Sequence, residues 1–221
     1  MVLSIFNKRL KGYMEKVCCF LVISLVLLSC GNNQSAKIAE KAEPLRTLTI
    51  ISLQPYDDFT QKEAEMVKSD FDEHIGKILK GSFVVEILPN KQLSKDFLGE
   101  KKTKYRADKI IHSLKPKANH DHIIIALTHK DICVAKRNGV VDWGVLGFSI
   151  SKDHACVASD HRLKNKKRDL WRVATHEFIH TYYRYGHCPK DSSHCIMKDA
   201  KGKADFGNKI NLCDYCKSKI G

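Results

Sequence analysis

Apolar side chains between residues 60 and 80 recur at three- and four-residue spacing: Ala64, Val67, Phe71, Ile75 and Ile78. That spacing places them on one face of an amphipathic helix. Thr47 to Leu53, rich in β-branched residues and closed by Pro55, predicts a strand ahead of it. Ser82 to Leu88, ended by Pro89, predicts a second strand. Ala107, Ile110, Ile111 and Leu114 mark a second helix that stops before Pro116. His122 to Thr128 (H-I-I-I-A-L-T) is apolar without alternation, the pattern of a buried strand. Two shorter strands are expected over Gly144 to Ile150 and Ala155 to Ser159, ahead of a helix around residue 176. This β-α-β-α-β order favours parallel neighbours in one sheet.

The N-terminus departs from that pattern. Residues 17 to 29 form an uninterrupted apolar run behind a basic flank. The run is too short to anchor stably across a bilayer, which takes about 20 residues, but it suits the core of a signal peptide. It ends in Leu27-Leu28-Ser29-Cys30, which resembles the lipobox of bacterial lipoproteins, with Cys30 as the lipidated first residue of the mature chain. Residues 1–29 are therefore expected to be a signal peptide and the polar residues 30–46 a flexible tether. Residues 47–221 are expected to form a single domain, and the resemblance implies that lipid on Cys30 holds it at the cell envelope, periplasmic or surface-facing. The net charge is +13, of which the first 29 residues carry four basic and one acidic side chain, leaving +10 on the rest. His161 to Arg168 is the densest basic patch, and it reads as a solvated surface.

The chemistry concentrates between His176 and Met197. On a helix, His176 and His180 share one face, so two imidazoles can grip one metal ion. Glu177 beside them is placed to hold a metal-bound water as general base rather than to ligate the metal. His187 follows Gly186, where the chain can leave the helix and fold back with a third nitrogen. Without a turn, His187 would lie roughly 10 Å along the axis from His180. His194 is the other histidine close by in sequence. His120, Asp121 and His122 precede a strand and read as surface residues.

Cys188, Cys195, Cys213 and Cys216 cluster around the same stretch, the last two as C-x-x-C. Four thiolates in that arrangement suit a closed structural zinc, and two disulfides are the competing arrangement outside the cytoplasm. Cys133 and Cys156, in or beside strands, read as buried free thiols.

Taken together, H-E-F-I-H at 176–180, His187-Cys188, Cys195-Ile196-Met197 and Cys213-Asp214-Tyr215-Cys216 resemble the archaemetzincin family of zinc metallopeptidases. The likeness covers most of the chain after residue 46. It departs from the metzincin pattern in carrying Tyr183 where that pattern has glycine, with one extra residue before His187. The resemblance implies an α+β fold with an α/β-like N-terminal part: a mixed sheet, an active-site helix and a small zinc-stapled C-terminal subdomain. It implies two zinc ions per chain: a catalytic one on His176, His180 and His187, and a structural one on Cys188, Cys195, Cys213 and Cys216. Glu177 would be the general base, and Met197 would form the methionine turn beneath the histidines. Substrate would lie extended along Gly144 to Phe148, whose glycines allow close backbone approach.

The function expected on these grounds is hydrolysis of peptide bonds in peptide or protein substrates by a lipid-anchored monomer. The alternative is a weak or inactive relative that binds peptides, should the altered turn spoil the site. A zinc-ribbon nucleic-acid binder would fit the cysteines and charge, but the export segment opposes it, so no nucleic-acid partner is expected.

Overall fold

The computed structural model describes residues 48–136, 138–190, 192–200 and 209–220. Residues 1–47 lie outside the described residues, and with them the expected signal peptide, Cys30 and tether. Among the described residues no helix is long and apolar enough to cross a membrane.

Strand β1 (Leu48–Pro55) leads into helix α1 (Gln61–Ile78). The helix starts where Thr60 and Glu63 form a capping box, each side chain satisfying the other's backbone N–H. Its buried residues are Ala64, Val67, Phe71, Ile75 and Ile78, the five that the spacing selects. Strand β2 (Ser82–Ile87), the short β3 (Tyr105–Arg106), helix α2 (Ala107–Leu114) and strand β4 (His122–Thr128) follow. Pro116 falls in the 3-10 turn just past α2.

The main sheet has five strands in the order β2-β1-β4-β8-β7, where β7 is Gly147–Ile150 and β8 is Ala155–Ser159. The first four are parallel, and β7 pairs antiparallel to β8 at the edge. Both faces are covered, which explains the unbroken apolar run of β4. Ile123, Ile125 and Leu127 belong to a core shared with α1 and the later helix α3 (Leu170–Tyr182). Ile124 and Ala126 belong to a second core with Ile110, Ile111 and Leu114 of α2.

Helix α3 runs through the first core and buries ten of its 13 residues. Phe178 meets Phe71 and Phe83 edge-on and stacks on Tyr182 with ring centroids 5.3 Å apart. A ring so fully enclosed contributes ~3–5 kcal/mol, judged by truncation to alanine. A helix buried this completely has no polar stripe, so only its motif announces it in the sequence.

One expected strand proves to be two. Residues 144–150 divide at Leu146: β6 (Trp143–Val145) pairs with β5 (Ile132–Val134) in a separate three-stranded sheet with β3, and β7 joins the main sheet. The sequence reading missed β5 because three residues are too short a run to show alternation. Gly144 accordingly lies in β6, in the smaller sheet. It pairs with Cys133, and a Cβ there would overlap the guanidinium of Arg162, itself held by a two-pronged bond to Asp131.

Candidate active site and metal centres

Helix α3 presents His176 and His180 on one face, with their Nε2 atoms 3.0 Å apart. His176 Nδ1 donates to the Ile196 carbonyl at 2.7 Å, and His180 Nδ1 to the Tyr185 carbonyl at 2.5 Å. Each bond fixes the tautomer and leaves the Nε2 lone pair free for a metal. His187 closes the trio, its ring centroid 5.2 Å from that of His176 and 4.7 Å from that of His180. One ligand nitrogen from each lies within 4.8 Å of the others. A tetrahedral zinc with bonds of ~2.0–2.1 Å needs nitrogens ~3.4 Å apart, so the donor set fits that ion after a small adjustment.

The turn that brings His187 back differs from expectation. The helix ends at Tyr182, and Arg184 rather than Gly186 takes the left-handed conformation, with φ 52°.

Burial pushes the His176 imidazole down to about 3, with His180 and His187 adding to the effect, and it lowers His180 as well. Neutral imidazoles are what a metal requires. Burial pushes the Glu177 carboxyl up to about 8, and a hydrogen bond with Ser149 of β7 works against it. Glu177 also lies over Gly147: a Cβ at that position would sit 2.6 Å from its Cγ and 2.7 Å from its Oε1. The carboxylate is thus seated between the histidines and the edge strand. The three histidines, Glu177 and β7 line a cleft of 640 Å³, with Lys136, Trp143, Arg184 and Asp199 on its walls.

The four cysteines form a second cluster, with Cys188 and Cys213 sulfurs 3.6 Å apart and Cys195 and Cys216 sulfurs 3.6 Å apart. All four sulfurs lie within 4.8 Å of one another. These distances match the ~3.8 Å edge of a tetrahedron with Zn–S bonds of ~2.3 Å, and no disulfide joins the four. Although burial raises it, the Cys213 thiol is drawn down to about 7 by the Cys216 backbone N–H and the neighbouring thiols. Burial raises Cys195 and Cys216 in turn, so of these three only Cys213 is drawn toward the thiolate that a metal binds.

No family model and no curated relative matches the sequence. Solved structures do. Archaemetzincin from Methanopyrus kandleri is 21% identical over 80% of this chain and 96% of its own, with a TM-score of 0.64. Archaemetzincin from Archaeoglobus fulgidus, solved with malonate, is 21% identical over 78% of this chain and 100% of its own, with a TM-score of 0.58. A zinc-dependent peptidase from Methanocorpusculum labreanum is 17% identical over 77% of this chain and 100% of its own, with a TM-score of 0.60. The chain has the archaemetzincin fold.

On this archaemetzincin fold the residues expected to act together do converge: His176, His180 and His187 in one group, Cys188, Cys195, Cys213 and Cys216 in the other. His194 is exposed and belongs to neither. His120 and Asp121 are exposed, and His122 bonds Ser52 at 2.6 Å. Cys133 and Cys156 are buried and free. Met197 is fully buried, and its carbonyl accepts from the Cys188 N–H at 2.8 Å. Sequence reasoning missed the seat of Glu177 (Gly147 and Ser149) and the carbonyls of Tyr185 and Ile196. A backbone carbonyl is offered by every residue type, so no sequence signal could have singled those two out.

Proposed function

We propose that the chain is a zinc-dependent metallopeptidase. The observation that carries this reading is the convergence of three metal-competent histidines with a buried glutamate in a cleft beside an open strand edge. His176, His180 and His187 would hold the zinc, the first two through Nε2, with the Ile196 and Tyr185 carbonyls keeping their rings aligned. When bound, that ion lowers the pKa of a coordinated water toward ~7 and polarises the scissile carbonyl. Glu177 accepts the proton of the attacking water on its carboxylate and delivers it to the departing amine. Its buried seat against Gly147 and Ser149 holds it at one position throughout. The outer edge of β7 has no strand partner among the described residues, and an extended peptide would add there by backbone pairing with Gly147–Ile150. The cysteine quartet would hold a second, structural zinc, giving two ions per chain.

The extra residue before His187 was the reason to consider an inactive peptide-binding relative. His187 lies with the other two histidines in spite of it, which favours the enzyme. Lipid anchoring through Cys30, a place in the cell envelope and action as a monomer belong to the same proposal.

The test is cleavage of a mixed peptide library by the full chain, with and without chelator, alongside Glu177→Gln. Activity that vanishes with chelator supports the reading. Glu177→Gln should keep both metals and lose at least a hundredfold in rate, because a positioned base contributes about 10²–10⁴-fold. A loss of less than about tenfold would remove Glu177 from its role. Cys30→Ser should abolish labelling by a fatty-acid precursor, and persistent labelling would overturn the anchor.

A further inference from the structure

Both carbonyls that orient the catalytic-site histidines sit on segments pinned by the cysteines. Ile196, the acceptor for His176, lies between Cys195 and Met197, and the Met197 carbonyl is tied to the Cys188 N–H. Tyr185, the acceptor for His180, lies three residues before Cys188 and reaches further. Its hydroxyl donates to the Cys216 sulfur at 3.5 Å. Tyr185 thus touches one member of each ligand group with a different end of the same residue.

The geometry points to Tyr185 as a positioning residue that couples the two metal sites, so that filling the cysteine quartet tightens the histidine site. This rests on reading both groups as zinc sites. The physical reason lies in the acceptor. A thiol sulfur accepts a hydrogen bond weakly, whereas a metal-bound thiolate is an anion and accepts one strongly. Loading the quartet therefore strengthens the bond that holds the Tyr185 side chain, and with it the backbone whose carbonyl aims His180. The loop needs such a tie. It carries the added residue, turns through Arg184 at φ 52°, and offers open space around Gly186, where a Cβ would meet nothing within 4 Å. The Tyr183 hydroxyl, donating to the Lys80 carbonyl at 2.9 Å, is a second side-chain tie on this loop. Removing a partner that orients a metal-ligating histidine typically costs about 10–100-fold in metal affinity, so a change that loosens the partner but leaves it in place belongs at the low end of that range.

The experiment is cobalt(II) titration of the metal-free full chain, wild type against Tyr185→Phe, following the thiolate-to-cobalt charge-transfer band and the affinity of each site. Phenylalanine keeps the ring and the backbone carbonyl and removes only the hydroxyl. The expected result is two cobalt ions in both proteins, a shifted charge-transfer band in the variant, and a histidine site weakened about tenfold. A change in packing alone would lower the melting temperature without moving the band. An unmoved band with histidine-site affinity within twofold of wild type would overturn the coupling. Wild type that binds fewer than two cobalt ions would overturn the two-site reading itself, a result visible before the variant is measured.

Discussion

Replacing Gly147 with alanine should disarm the site without unfolding the protein. The added methyl would sit 2.6 Å from Glu177 Cγ, 2.7 Å from Oε1 and 2.9 Å from Cδ. Carbon atoms rest at about 3.5–4.0 Å, so the glutamate must retreat by about 1 Å. A catalytic group misplaced by ~1 Å can cost about 10²-fold, equivalent to ~2.7 kcal/mol of barrier. The backbone of β7 accepts alanine, since Gly147 is not among the residues in the left-handed region. Restricting the unfolded chain, worth ~0.4–1 kcal/mol, offsets part of the cost of that overlap. The measurements are kcat/KM on a cleaved peptide, zinc content and thermal midpoint. We expect a fall of about 10–100-fold in kcat/KM with zinc unchanged. Gly186→Ala serves as the control, because a Cβ there meets nothing within 4 Å. A Gly147→Ala enzyme within threefold of wild type would show that the seat of Glu177 does not govern its position.

His187→Ala should reduce bound zinc from two ions per chain to one and abolish activity, whereas His194→Ala should leave both unchanged. The opposite pattern would mean that the turn delivers the wrong histidine. The metal-free protein should be most stable between about pH 4.5 and 6.5. His176, lowered from 6.5 to about 3, contributes stability that is complete above 6.5 and lost as pH falls through 3. Glu177, raised from 4.5 to about 8, contributes stability that is complete below 4.5 and lost as pH rises through 8. Thermal melts of chelated protein across this range measure both limbs. Glu177→Gln should flatten the alkaline limb alone, and an alkaline limb that persists would assign it to another group.

What the sequence determined by itself is what repeats locally. The one-sided spacing of Ala64 to Ile78 specifies α1, because a helix brings every third and fourth residue to one face. The unbroken apolar run of His122 to Thr128 marks β4 as central, because both its faces are covered. The pair His176 and His180 reads as a metal grip for the same helical reason. Only the tertiary structure decided the rest. It split residues 144–150 between two sheets, chose His187 over His194, set Glu177 on Gly147 from 30 positions away, and closed Cys188 on Cys213. Each of these depends on where the chain turns back and on which backbone carbonyl lies beneath a ring. A turn of a few residues has little periodicity to betray it, and a carbonyl none, so those choices emerge only when the packed sheet and helices bring distant segments into contact.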